Sequence, residues 1–551
     1  MQFNRFSALL VVAGMTLAGC GGGGGTDLTS CNENITVTGD YQVESLCSAD
    51  IINANVSLGN TAKSLYLVLS NSDTASATAT ITHNAKVTSV PQTKTVLPAD
   101  LAEKPRILHH PHYVEEFNSQ IGTVLSKAEE HQFQAKTIAV PERMEDVAGT
   151  NPSTGTFYRS SDTTDPTEAT ARKVISVATD LGVKTLNIWV SNDSFDSGSG
   201  CNTDKCVTQA MVDALADTFL KSATDNDIYD WVTNIYGEEW SAAAEAKYSY
   251  LIPANDEITI LLTDIDNDGL PSNGEGRVVG FFWAKDNFDK SVFTGSNERV
   301  MFYIDSVMFA NGEAPWSIDD MWPKEIVSTL AHEFQHMIHY YQKNILRYEN
   351  ITDNTDTWIN EMLSESTEDI IATKIVHSVE KRYPTFNENN TLSLTTWNSQ
   401  LADYAKVNVY GAYLLRNYGG AKLLHDIVHN SFSDEEAVLD AVHRSPQGLG
   451  KTFADLLSEW GVAVMLSDHD NLVDTPVYNI GTLFEDVYGS TLYEMNSINF
   501  FNYDQGPKTY TTSGTVEPQG NYYYKIGDNL TGDINIKLEL NSQTEATLIV
   551  K

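Results

Sequence analysis

Residues 325–341 read EIVSTLAHEFQHMIHYY, and this stretch limits the possible folds more than any other. Val327, Leu330, Ala331, Phe334 and Ile338 recur at helical spacing and call for a mostly buried helix. On it, His332 and His336 stand four residues apart on one face, so both imidazoles can reach a single ion. Glu333, next to the first histidine, falls beside that ion and can hold a water there. A chain with this helix needs a second buried element to complete the site.

Residues 358–371, WINEMLSESTEDII, supply one. Trp358, Ile359, Leu363, Ile370 and Ile371 mark another helix, with Glu361 and Glu365 again sharing one face. Zinc in a catalytic site takes three protein ligands and keeps one position open. Glu361 can bind the ion, and Glu365, one turn later, can orient a ligand imidazole through its free N–H. Burying two histidines and two glutamates on facing helices without metal would cost several kcal/mol in desolvation.

His-Glu-x-x-His followed by Asn-Glu-x-x-Ser and an acid resembles the gluzincin clan of zinc metallopeptidases, the thermolysin-like group. The resemblance implies His332, His336 and Glu361 as zinc ligands, Glu333 as general base and Glu365 behind a ligand histidine. The chain departs in carrying Glu365 where the thermolysin group has Asp, and in a somewhat longer gap between the motifs. HEFQHMI and WINEMLSE are similar to the hyicolysin-type (M30) family, as are VTQAMVDAL, GFFWAKD, SNERVMFYIDS and YGAYLLRNYGG, over about residues 180–430. Metzincins are excluded: His339 stands where they need Gly, and Gln342 where they need the third His. His339 reads as a partly exposed helix residue. The implied chemistry is Glu333-assisted attack of a zinc-activated water on a peptide bond. For the oxyanion donor, Tyr410, Tyr413, His425 and His429 are all candidates. The strand RVMFYIDS reads as an edge along which an extended peptide could lie.

A second cation site is expected in DIDNDGLPSNGE. Asp264, Asp266, Asp268 and Glu275 take positions 1, 3, 5 and 12 of a calcium loop, with Gly269 at the sharp turn. A strand precedes it and Pro271 interrupts it, so this is a calcium loop outside the EF-hand fold, serving rigidity. RILHHPHY holds His109, His110 and His112, but adjacent histidines flanking Pro111 have no ligand-like spacing.

Asp and Glu total 74 against 35 Lys and Arg, a net charge of −39 that repels phosphate backbones and disfavours nucleic acid as a partner. Residues 1–19 form a signal peptide ending in Leu17-Ala18-Gly19, and with Cys20 they resemble a bacterial lipobox. Lipid on Cys20 would anchor the chain to a membrane, with residues 20–30 as a Gly-rich tether; Gly21 and Gly22 favour the outer membrane or cell surface. Cys31 with Cys47 and Cys201 with Cys206 are expected disulfides of an oxidising compartment. The fold class is α+β. An N-terminal β-domain (31–97) and a linker or pro-like segment (98–170) precede a zincin-like domain (171–505), and a C-terminal β segment (506–551) follows. Within these, one helix is expected near 114–131, a loop over 149–167, and another helix in EATARKVISVATDLG. The leading reading is an extracytoplasmic, lipid-anchored zinc metalloendopeptidase acting on protein or peptide. Its alternatives are a surface adhesin or binding module on a peptidase-like scaffold, and a zinc hydrolase with a non-protein substrate.

Overall fold

The computed structural model describes residues 28–86, 107–108, 110–135, 153–160, 163–198, 200–254, 256–271, 277–377, 381–503, 506–541 and 543–551. The expected signal peptide and Cys20 lie outside these residues. Among the described residues, no helix is long and apolar enough to cross a membrane.

The expected mixed α+β architecture is the one found. Its centre is a six-stranded sheet made of β7 (Thr154–Tyr158), β8 (Pro166–Thr179), β9 (Gly182–Ser191), β10 (Glu257–Thr263), β12 (Gly280–Phe282) and β13 (Met301–Asp305), in the order β12-β13-β10-β9-β8-β7. β9, β10 and β13 run parallel. Their near-continuous apolar runs, such as ITILL in β10, suit strands covered on both faces. EATARKVISVATDLG, expected as a helix, is instead β8 and its turn into β9. Val174, Ile175 and Val177 are β-branched and favour the pleated surface, and Gly182 takes the positive φ that closes the hairpin. The expected loop over 149–167 likewise contains β7 and the first residues of β8. RVMFYIDS is not the edge: β12 pairs along β13, so the free edge belongs to Gly280–Phe282.

The segment expected as a linker or pro-like stretch is docked on this core. β6 (Ile107–Leu108) runs parallel to β11 (Arg277–Val278), just before β12. Two helices, α1 (His112–Ser119) and α2 (Ile121–Ala135), replace the single expected one. Gly122, in the first turn of the second, permits close docking, since a Cβ there would stand 2.6 Å from the carbonyl carbon of Thr352.

Long helices cover one face of the sheet. α3 (Met321–His339) lies against β12 and β13 and packs on α4 (Thr357–Ile371), which packs in turn on α6 (Leu401–Asn417); α5 (Arg382–Asn389) lies along α6. Gly280 permits the approach, since a Cβ there would meet the Ile304 side chain at 2.9 Å and Thr329 at 3.1 Å. A hairpin of β14 (Phe484–Tyr488) and β15 (Thr491–Met495) packs against α4 from the far side.

The two terminal β segments close as one sandwich. One sheet orders β1 (Ser30–Thr36), β3 (Ile51–Ser57), β18 (Asp533–Glu539), β5 (Ala77–His83) and β16 (Gly514–Val516). The other orders β17 (Gly520–Leu530), β4 (Lys63–Asn71), β19 (Thr544–Val550) and β2 (Gln42–Ser45). Strands from the C-terminus thus lie between strands from the N-terminus, around a core that includes Val56, Leu67, Leu538 and Leu548. The sandwich rests on α7 (Phe453–Met465), where a Cβ on Gly461 would meet Val68 at 2.5 Å. Cys31 is bonded to Cys47, and Cys201 to Cys206.

Candidate metal centre

α3 delivers His332, Glu333 and His336 to one buried face, and α4 brings Glu361 opposite them. Nε2 of His332 and Nε2 of His336 are 3.1 Å apart. Glu361 Oε2 stands 3.4 Å from the first and 3.6 Å from the second.

His332 Nδ1 donates to Glu368 Oε1 at 3.0 Å, which turns its Nε2 towards His336. Ser364 Oγ lies 3.1 Å from His336 Nδ1 and 3.2 Å from its Nε2, and the Ser364 hydroxyl also donates to Gln335. The Nε2 atoms of both histidines thus converge on one point beside Glu361, an arrangement suited to a shared cation. Burial lowers the pKa of both imidazoles, that of His336 to about 4, so both stay neutral at physiological pH. Glu361 is held well below the ordinary carboxylate range: burial opposes the charge, but contacts with His336, His110 and His332 outweigh it. Of these His110 is the charged one: burial opposes its charge too, but Glu333 and Glu361 raise its pKa to about 9. Two neutral imidazoles and an ionised carboxylate form a donor set that fits zinc.

Glu333 lies beside these ligands without joining them. Its Oε2 accepts from the Phe282 N–H of β12 at 2.8 Å, while Oε1 is buried with no hydrogen-bond partner. Burial pushes its pKa up to about 8.

Several expected residues stand elsewhere. Glu365 is gripped by Arg382, with Nη2 at 2.5 Å and Nε at 3.1 Å, and it shares a buried cluster with His332 and Glu368. Glu368, one turn further on, accepts directly from His332 Nδ1, and Ser328 holds its other oxygen at 2.7 Å. His339 is buried rather than partly exposed, and its Nε2 meets Thr355 Oγ1 at 2.8 Å. Tyr413 pairs with Tyr418 and Glu459, and Tyr410 packs between Trp358 and Trp460. His425 binds the Ile235 carbonyl, and His429 binds that of His425. Tyr404 is the buried hydroxyl under the influence of the centre: after burial itself, Glu361, Glu115 and Glu333 do most to hold its pKa well above the usual value.

His110 reaches the centre from a distant segment. Its Nε2 is 3.0 Å from His336 Nε2 and 3.1 Å from Glu361 Oε1, and its Nδ1 is 3.6 Å from Glu333 Oε2. His110, His332, His336 and Glu361 offer ligand atoms all within 4.8 Å of one another. His112 is exposed, and His109 lies outside the described residues. Nothing in the local spacing of RILHHPHY marks His110, because its role comes from tertiary docking.

At the expected calcium loop, a guanidinium is the neighbouring cation. Arg277 Nη1 lies 3.1 Å from Asp266 and 3.8 Å from Asp268, and Nη2 lies 3.3 Å from buried Asp305. Asp264 Oδ2 accepts from Gly269 N at 2.7 Å, and Glu275 lies outside the described residues.

A buried histidine-histidine-glutamate centre between two packed helices beside a mixed sheet marks a zincin-like domain. The sequence model of the peptidase M30 family matches residues 165–471, over half of the chain. The chain belongs to that family. The neutral metalloprotease ShpI of Staphylococcus hyicus is 26% identical over 266 residues, covering 47% of this chain and 52% of the relative. The chain thus spans about half the length of the curated relative it matches. Among solved structures, a two-domain M1 zinc metallopeptidase bound to L-arginine is 11% identical over 52% of this chain and 51% of its own. Its TM-score of 0.27 is too low to bear on function.

Proposed function

We propose that this chain is a gluzincin-type zinc metalloendopeptidase, exported and held at a membrane by lipid on Cys20. The observation that carries the reading is the convergence of the Nε2 atoms of His332 and His336 with Glu361, beside a carboxylate with one unengaged oxygen. Bound there by His332, His336 and Glu361, zinc would polarise the scissile carbonyl and lower the pKa of water. Glu333 Oε1 then takes the proton of the attacking water and returns it to the departing amine. Burial, which raises its pKa, helps it hold that proton until the amine departs. The Phe282 N–H keeps Oε2 fixed, so the base presents one oxygen only. Tyr404, whose buried hydroxyl feels the charges of Glu361 and Glu333, is the proposed donor to the developing oxyanion, and β12 offers the strand edge for an extended peptide substrate.

The test is zinc content together with casein hydrolysis, before and after 1,10-phenanthroline, on protein starting at Gly21. About one zinc per chain with chelator-sensitive cleavage is expected. Bound zinc with no cleavage, intact or after limited proteolysis, would favour the binding-module reading. No zinc would overturn the proposal.

A further inference from the structure

The segment upstream of the family-matched region does more than pack against the core. It fills the cleft with three separate contacts. His110 Nε2 stands 3.0 Å from His336 Nε2 and 3.1 Å from Glu361, among the proposed ligands. The side-chain amide of Asn118 donates to the Phe282 carbonyl at 2.8 Å and accepts from the Ala284 N–H at 3.1 Å. Those backbone groups belong to the free edge of the sheet, where an extended peptide would add. β6 lies alongside β11, the two residues that lead into that same edge. His110, Glu115 and Asn118 of this segment line the pocket that also holds His336 and Glu361.

We propose that His110 is a fourth protein ligand of the zinc and that residues 107–119 occupy the cleft as an internal competitor of substrate. The proposal rests on the zinc-peptidase reading above. Its logic is coordination number. Four protein ligands close a zinc site, as in structural centres, whereas catalysis needs one position open. His110 also sets its Nδ1 3.6 Å from Glu333, so the ligand that closes the metal covers the base as well. The segment is firmly seated: Gly122 N donates to Asn354 at 2.7 Å, and the Tyr250 hydroxyl donates to the Leu125 carbonyl at 3.0 Å. Turnover then requires His110 to leave the metal and Asn118 to leave the strand edge, while α2, which carries both anchors, stays in place.

The experiment compares the full chain with His110→Ala and Asn118→Ala, and each protein is first checked for an unchanged melting profile in its zinc-loaded form. Cobalt substitution gives the first readout. Wild type should show the intense visible bands of a closed four-ligand site, and His110→Ala should show a changed, weaker spectrum with 10–100-fold weaker metal binding. Hydrolysis of a fluorogenic peptide gives the second: His110→Ala should cleave at least tenfold faster than wild type, and Asn118→Ala should lower KM while keeping the wild-type cobalt spectrum. An unchanged cobalt spectrum and affinity in His110→Ala would remove His110 from the metal. A slower His110→Ala enzyme would make the residue part of the catalytic apparatus and overturn the competitor role. Failure of wild type to bind cobalt or zinc at all would overturn the underlying zinc reading, and His110 as a ligand with it.

Discussion

Glu368 accepts the Nδ1–H of His332 at 3.0 Å, and this contact fixes which nitrogen of that histidine faces the metal. Glu365, one turn nearer the ligand Glu361, is committed to Arg382 instead. The two carboxylates thus divide the labour on α4: one sets a tautomer, and the other neutralises a buried guanidinium. Glu368→Ala should weaken zinc binding about 10–100-fold with a modest loss of stability. Glu365→Gln should do the reverse, nearly keeping zinc affinity while losing up to about 3–5 kcal/mol of stability, because the buried Arg382 would lose its ion pair with Glu365. Competition with a chromogenic chelator and urea unfolding separate the two effects. Equal zinc affinities in the two variants would contradict this division.

Glu333→Gln should retain one zinc per chain, since the residue is beside the ligand set and a Gln carbonyl can still accept the Phe282 N–H. Its kcat/KM should fall by about 10²–10⁴-fold, the usual contribution of a positioned general base. Metal analysis alongside peptide hydrolysis checks this. A variant with zinc and full activity would remove Glu333 from the mechanism.

Tyr404→Phe should lower kcat about 10²–10³-fold with KM and zinc content little changed, as expected for an oxyanion donor. Tyr410→Phe and Tyr413→Phe should stay within about threefold of wild type, because those rings contact Trp358, Trp460, Tyr418 and Glu459. A large loss at Tyr410 or Tyr413 and none at Tyr404 would reverse the assignment.

The parts of the site legible in the sequence are those set by helical periodicity. His332, His336 and Glu361 face one another because their spacings place them on the inner faces of two apolar helices. Periodicity also explains the ambiguity over the acid behind His332. Glu361, Glu365 and Glu368 follow i, i+4, i+7, so all three share a face, and only the position of Arg382 assigns their partners. His110 was hidden for a different reason: it lies 226 residues from His336, and no local pattern encodes that encounter. The same nonlocality hid the sandwich. β18 inserts between β3 and β5, from the opposite end of the chain. β8 was misread because a run with apolar residues at mixed spacings satisfies a helical template, while its β-branched side chains and its pairing with β9 favour the strand.

That sandwich makes a sharp prediction about truncation. Ending the chain at residue 505 removes β16 to β19, which include interior strands of both sheets. Residues 30–83 should then lose their fold and become sensitive to protease, instead of surviving as a separate domain. Exposure of α7, where Asn521 now donates to the Leu457 carbonyl at 2.9 Å, should lower solubility as well. A protease-resistant fragment covering 30–83 in the truncated chain would refute the shared core.

The turn that follows α3 carries a buried amine with a measurable pH signature. Lys343 lies in the π-helical stretch Tyr340–Ile345, fully buried, donating to the Ile427 carbonyl at 2.6 Å and to Asn430 Oδ1 at 2.9 Å. Burial pushes its pKa down to about 7 from the ordinary 10.5, only partly opposed by Asp440 and Asp434. Between those two values the unfolded chain holds a proton that the folded chain does not. Stability therefore rises with pH across this window, by at most about 1.4 kcal/mol per unit, and is lost again as pH falls towards 7. Urea unfolding of zinc-loaded wild type and Lys343→Met at pH 6.5 and pH 9.5 isolates the effect. The wild type should gain more than about 1 kcal/mol relative to the variant at the higher pH. Parallel pH dependence in the two proteins would mean that Lys343 titrates as it would in water, and that the amine is hydrated in solution.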